Sequence, residues 1–325
     1  MDSSDLAILR EMFPNRTARL WGHDPRVSAA RVADVVGINP ATVRLRMKKW
    51  VEEGFVRGYA PNANPRLFGV GIADVVVPVG NFGQADRIFE ELNLVEGTVS
   101  AYSAYGENPK GEPFGAVVVQ VVDDHSDSVQ RRIEHIKKFA PLQTVFGPFP
   151  SRPPPCPESI TPLQWRIVQA VMADPTATPT KLAASAKVSL KTLLKHYNLL
   201  LDSDALLFPA IHDWSRTPTV VLGFLYTDEG TLPKIQRELS ARFERYLPVA
   251  VDNPLLMGPD FMKYKAIWTI VIVHGPAHVH TLLGELAAIP GVVRVVPFYL
   301  AKFRHYPEWR SQRLREKLGV TRAAA

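Results

Sequence analysis

The chain has 325 residues, 46% hydrophobic and 22% charged, a composition ordinary for a folded protein of more than one domain. Its formal net charge of +6 and pI near 9.4 favour an anionic partner. The sequence contains no apolar run near the roughly 18 residues of a membrane helix and no secretory signal pattern, so no membrane partner is expected. Cys156 is the only cysteine, which excludes an internal disulfide and favours a reducing, cytoplasmic location.

The first predicted elements, over residues 1–62, form a winged helix-turn-helix domain that begins with an amphipathic segment. Ser28 is the expected N-cap of one helix, and Gly37 is its expected end. Asn39 caps the next helix, Pro40 takes the first position, where a missing amide costs nothing, and Gly54 ends it. The alternating segment that follows Gly54 is typical of a β wing.

The second of these helices has two contrasting faces. At 100° per residue, Val43, Met47 and Trp50 fall on one side, which predicts the buried face. The opposite face carries short side chains near the start of the helix and cations further along, as major-groove contact requires. The predicted DNA-contacting residues are Ser28, Asn39, Ala41, Thr42, Arg44, Leu45, Arg46, Lys48, Lys49 and Arg57.

The next segment, residues 63–150, has the predicted order βαββαβ. This order is typical of a ferredoxin-like α+β sandwich, with two helices on one face of an antiparallel sheet. Residues 151–160 are rich in proline and predict a semi-rigid linker, because proline lacks an amide donor and fixes φ.

The pattern then repeats at an offset of 150 residues. A second, degenerate winged helix-turn-helix is predicted over 161–212 and a second βαββαβ domain over 213–306. The matching helix face offers a second set of candidate DNA contacts, which are Ser189, Lys191, Thr192 and Lys195. Asp202 and Asp204 follow it, so weak DNA binding and a packing role both stay open for this unit.

The last segment, residues 307–325, is predicted to be a basic tail. From Lys302 to the C-terminus there are seven Lys or Arg residues against two Glu residues. A run of like charges is usually solvated, so we expect this end of the chain to lie in water.

These features resemble the Lrp/AsnC family of transcriptional regulators. The resemblance rests on "DLAILREM", on "RVADVVGINPATVRLRMKKWVEEGFVRGYAPNANPRLFG" and on the βαββαβ order that follows. It implies a sequence-specific regulator that binds double-stranded DNA, with the two effector domains paired as a pseudo-dimer within the chain. A further homodimer and a small-molecule effector stay open. The family's effector-site turn is matched at Tyr105 and Gly106, and Gly258 is the nearest equivalent in the second half.

The sequence has no catalytic motif, which leads us to expect no enzyme activity, no cofactor and no metal site. One alternative is an enzyme, because the fold pairing also resembles that of sirohaem decarboxylases, which rely on histidine and arginine in the sheet domain. His125, His135 and His305 lie at element margins without an obvious arginine–histidine motif. A scaffold with inactive helix-turn-helix units is the other alternative.

Overall fold

The computed structural model describes residues 2, 4–5, 7–8, 29–59, 61–108, 110–125, 127–151, 155–207, 210–212, 219–235, 237, 246–249, 265–272 and 276–319. The predicted mixed α/β class is confirmed. The helices are α1 (Ala29–Val36), α2 (Pro40–Glu52), α3 (Phe82–Glu91), α4 (Ser128–Lys137), α5 (Pro162–Ala173), α6 (Pro179–Ala186), α7 (Leu190–Asp202), α8 (Pro276–Ala287) and α9 (Glu308–Lys317). The strands are β1 (Val56–Tyr59), β2 (Asn62–Ala63), β3 (Gly71–Val79), β4 (Thr98–Glu107), β5 (Pro113–Asp123), β6 (Phe146–Ser151), β7 (Leu206–Leu207), β8 (Ala210–His212), β9 (Thr219–Tyr226), β10 (Tyr246–Val249), β11 (Lys265–Ile272) and β12 (Val292–His305).

An eight-stranded sheet joins the two halves of the chain. Its strand order is β10-β11-β9-β12-β4-β5-β3-β6. Strands β3 and β5 are rich in valine, and the alternate residues Val75, Val77 and Val119 pack against α3 and α4. β-Branched side chains favour this half-covered, pleated surface.

Strand β12 is the link between the halves. Its first part pairs with β9, and its second part pairs with β4 from Phe298 to His305. Close approach at the crossing depends on Gly106, since a Cβ atom there would come within 2.2 Å of the Pro297 carbonyl oxygen. The sheet is therefore continuous across the centre of the molecule.

The helix-turn-helix pairs of the two halves have the same dimensions. An offset of 150 residues brings α1 onto α6 and α2 onto α7 at both ends. The turn after the first helix contains a left-handed residue in each pair, Gly37 with φ 73° and Lys187 with φ 56°. Each second helix begins at a capping side chain, Asn39 or Ser189. The two pairs thus use the same local devices.

The strands that follow these helices differ from the predicted wings. Strand β1 pairs with β8 of the second half, and β2 pairs with β7. The β wing expected after Gly54 is therefore not a separate element of the first unit, because its strands pair with strands of the second unit. The physical reason is that the amide and carbonyl groups of each short strand find partners on the other unit, so the two units hold each other by crossed strand pairs.

The C-terminal segment is also different from the prediction. Residues Glu308–Lys317 form α9 rather than a solvated tail. Leu314 packs in the core of the second helix-turn-helix, and Trp309 packs on β3, β4 and β5 beside Phe68. The expected tail is wrong for these residues because buried apolar contacts outweigh the repulsion between the basic side chains on the exposed side.

Candidate nucleic-acid interface

Helix α2 is anchored through one face, which leaves the opposite face exposed. The Asn39 side chain accepts a hydrogen bond of 2.7 Å from the amide of Ala41 and so satisfies a free helix-start donor. Val43 and Trp50 are buried against α1, and the Trp50 ring meets Phe55 edge-on at 6.2 Å. The cap and the core together fix the orientation of the helix.

The exposed face of α2 carries most of the predicted DNA-contacting residues. Leu45 is 67% exposed, and Ala41 is also exposed, while Thr42 is half-buried. Lys48 and Lys49 each lie 3.5 Å from a glutamate one turn later, Glu52 and Glu53. All four of these charged side chains are more than half exposed, so such pairs are weak and the lysines can turn to another anion.

The three predicted arginines differ in their surroundings. Arg44 and Arg57 are exposed on α2 and β1. Arg46 instead donates hydrogen bonds to Asp2 at 2.7 Å and Asp5 at 2.8 Å. These contacts raise the pKa of Arg46. Burial alone would raise the pKa of Asp2, but the hydrogen bond from Arg46 outweighs it, and the pKa of Asp2 is lowered. The Arg46 guanidinium is thus held by two carboxylates of the N-terminal segment, and its contact with DNA stays a prediction.

In the second unit, Ser189 caps α7 by accepting a hydrogen bond of 3.1 Å from the Thr192 amide. Lys191 and Lys195 are exposed on this helix, as predicted for the matching face. The exposed side chains next to them are apolar, with Leu190 and Leu194 each more than 40% exposed. The face of α7 is thus less basic and more apolar than that of α2.

The remaining predicted positions do not form a site in the described residues. Ser28 and Gly258 lie outside those residues. Tyr105 and Gly106 lie within strand β4, so the expected effector-site turn is wrong at this place. The Tyr105 ring packs on Phe82 of α3 with centroids 4.2 Å apart. Burial, and then the nearby Asp86, raise the pKa of Tyr105.

The structure brings together a polar cluster that the sequence did not reveal. Asp74, Gln120, Ser100 and His305 stand opposite one another in register across β3, β5, β4 and β12. Directly opposed residues in antiparallel strands share a face of the sheet. The row therefore crosses four strands on one face, and Ser100 donates a hydrogen bond of 2.6 Å to Gln120.

Arg310 of α9 completes this cluster. It is 5% exposed, and burial lowers its pKa to about 9. Burial, and then the charge of Arg310, lower the pKa of His305 to about 3. In the sequence, His305 and Arg310 lie only five residues apart in "HYPEWR". Pro307 between them indicates the end of the strand, but it does not predict that the next helix brings Arg310 back towards His305.

Two features are absent from the described part of the chain. No helix there is long and apolar enough to cross a bilayer. The same residues include no group of three or more His, Cys, Asp or Glu side chains placed to hold a metal ion.

Comparison with known proteins finds sequence similarity to a transcriptional regulator and structural similarity to an enzyme. Over 155 residues the chain is 28% identical to the HTH-type transcriptional regulator Ptr1 of Methanocaldococcus jannaschii, covering 45% of this chain and 87% of Ptr1. The crystal structure of the siroheme decarboxylase NirDL covers 98% of this chain and 100% of its own, with 15% identity and a TM-score of 0.51. NirDL has also been solved with an iron-uroporphyrin III analogue, with a TM-score of 0.50. No protein-family model matches the chain.

These comparisons support a resemblance to helix-turn-helix regulators and correct one expectation. The expectation that the chain is not an enzyme is wrong, because it rested on missing motifs while an enzyme shares the architecture along 98% of this chain. At 15% identity this likeness establishes the fold, and the chemistry has to be argued from the residues of this chain.

Proposed function

We propose that this protein is a sequence-specific, DNA-binding transcriptional regulator whose first helix-turn-helix enters the major groove. The observation that carries the proposal is the exposed face of α2, where Ala41 and Leu45 lie beside Lys48 and Lys49 on a capped and anchored helix. Short side chains can contact thymine methyl groups, and the lysines can reach phosphates. The resemblance to Ptr1 supports the same function.

The two helix-turn-helix units contribute unequally in this proposal. Both expose two lysines on the second helix, but α2 adds Arg44 where α7 has Leu194. Leu190 and Leu194 increase the apolar share of the α7 surface. Since phosphate contacts dominate affinity for DNA, we expect α2 to supply most of the binding free energy.

The test begins with selection of bound fragments from genomic DNA by the purified full-length chain. On an enriched fragment, Arg44→Ala and Lys48→Ala should each weaken binding and lower the dependence of log K on log salt by about one. Lys191→Ala and Lys195→Ala are the matched controls and should change affinity much less. An absence of enriched fragments contradicts the regulator, and equal losses in both pairs contradict the asymmetry.

We also propose that the chain is a tandem duplication that acts as a covalent pseudo-dimer. The equal helix lengths at an offset of 150 residues support this, and so do the crossed pairs β1–β8 and β2–β7. A linked pair of helix-turn-helix units would bind two half-sites about one DNA turn, or roughly 34 Å, apart. Footprinting of an enriched fragment should give two protected segments at that spacing, and a single short footprint contradicts it.

A second candidate function is decarboxylation of a tetrapyrrole, because the whole chain shares its fold with NirDL. The half-buried His305 and the buried Arg310 would suit an acidic substrate. Anaerobic incubation with sirohaem, followed by chromatography of the pigment, tests this function. Loss of carboxyl groups from the pigment supports it, and unchanged sirohaem with stoichiometric enzyme contradicts it.

A further inference from the structure

The polar row on the central sheet lies on the face away from α3 and α4. Lys302 and Arg304, which flank Phe303 in β12, reach across to Asp86 and Glu90 of α3 with bonds of 2.6 and 2.8 Å. Since side chains alternate along a strand, His305 points to the opposite face. There its ring lies edge-on to Phe303, with centroids 4.6 Å apart.

At the end of this row formed by β12 and α9, several buried hydrogen-bonding atoms have no partner in the described residues. They are both ring nitrogens of His305, the indole nitrogen of Trp309 and Nε of Arg310. Buried polar groups are normally satisfied, so a cluster of this kind points to a missing partner. A guanidinium and an indole offer only N–H donors, and a neutral imidazole has one donor and one acceptor nitrogen. Three of the four nitrogens are therefore donors, which calls for a partner rich in acceptors.

The charge of the cluster points in the same direction. Arg310 is enclosed, and no carboxylate among the described residues forms an ion pair with it. Two other arginines, in contrast, have carboxylate partners. Arg313 of α9 pairs with Asp124 at 3.4 Å and with Glu316 at 3.1 Å, and Arg132 pairs with Asp124 at 3.0 Å. A buried cation without a counter-ion is costly, and an anion from solution would relieve that cost.

We propose that Arg310, Trp309 and His305 form a binding site for a carboxylate group of a small ligand. The planar guanidinium matches the two oxygens of a carboxylate, and the indole and imidazole N–H groups can complete its hydrogen bonding. The Ser100–Gln120 pair follows His305 along the sheet, with Ser100 buried and Gln120 half-buried. The ligand is an organic acid or the carboxylate arm of a tetrapyrrole, which share this chemistry.

The test is calorimetric titration of the full-length chain without DNA, so its outcome is independent of DNA binding. Succinate probes the organic-acid source and uroporphyrin III the tetrapyrrole source, with sodium chloride at equal ionic strength as the blank. We expect saturable binding of at least one probe. Binding of neither probe overturns the proposal.

Variants assign the binding to Arg310. Arg310→Met should abolish the binding, and without ligand it should unfold at the same or a higher temperature, because it removes a buried unpaired charge. Arg310→Lys keeps the charge but loses the planar fork, and should weaken binding at least tenfold. Arg313→Met is the matched control on the same helix and should bind as the wild type does. Unchanged affinity in Arg310→Lys or Arg310→Met overturns the proposal.

Discussion

At the scale of single residues, His305 gives the protein a specific response to acid. Burial, followed by the Arg310 charge, lowers its pKa from 6.5 to about 3. The unfolded chain therefore binds a proton below pH 6.5 that the folded chain excludes. This contribution to stability is complete above pH 6.5 and is lost as the pH falls towards 3.

We expect His305→Gln to unfold with a weaker dependence on pH than the wild type between pH 6.5 and pH 4. One titrating group changes the free energy of unfolding by at most about 1.4 kcal/mol per pH unit. Urea denaturation at several pH values measures the difference. The exposed His280→Gln variant should keep the wild-type dependence, and identical slopes in all three proteins would show that His305 is not held neutral.

The individual residues also show what the sequence can and cannot predict. The cap at Asn39 and the buried Val43 and Trp50 follow from local spacing along one helix, and the structure has them as predicted. The bonds from Arg46 to Asp2 and Asp5 were not predicted, because these partners lie more than forty residues away. A helix-face pattern contains no information on such a partner.

At the scale of elements, α9 shows the same limit. Six of the ten residues in "EWRSQRLREK" are charged, and the apolar Trp309 and Leu314 are five positions apart, which is not a helical stripe. The sequence therefore favoured a tail. The two residues pack in different clusters, Trp309 on the sheet and Leu314 on the second helix-turn-helix. Each therefore anchors α9 to a different part of the molecule.

Leu314→Ala should accordingly destabilise the protein, although it lies close to the C-terminus. Removing a large side chain from a packed core costs about 2–5 kcal/mol, and Leu314 is 6% exposed. The exposed Lys317→Ala on the same helix should change stability by less than about 0.5 kcal/mol. Chemical denaturation measures both, and a Leu314→Ala variant as stable as Lys317→Ala would mean that α9 does not hold the helix-turn-helix.

At the scale of the whole molecule, the crossed strands are the feature that no local pattern could predict. A two- or three-residue strand such as β2 or β7 has no pairing preference of its own, and only the complete fold decides which chain segment lies beside it. The order βαββαβ was accessible because alternation and helix periodicity are local signals. The pairing between units links the helix-turn-helix units that carry α2 and α7.

Asn64 lies at the centre of this exchange and is fully buried. Its Nδ2 donates to the Asp204 carbonyl at 3.0 Å, its Oδ1 accepts from the Arg66 amide at 3.0 Å, and its amide donates to Ala205 at 2.9 Å. Asn64→Ala would remove both side-chain hydrogen bonds, which are part-buried, at a cost of about 0.5–1.5 kcal/mol each. We therefore expect this variant to remain folded but to loosen the junction between the units.

Spin labels on α2 and α7 measure this coupling directly. Leu45→Cys and Leu194→Cys are exposed positions for the labels, in a background with Cys156→Ser. Pulsed dipolar spectroscopy should give one narrow distance distribution in the parent protein and a broader one with Asn64→Ala. Asn93→Ala, which removes an exposed amide, should keep the narrow distribution. A broad distribution in the parent protein would mean that the crossed strands do not fix the spacing, and the coupling between the units would then need another cause.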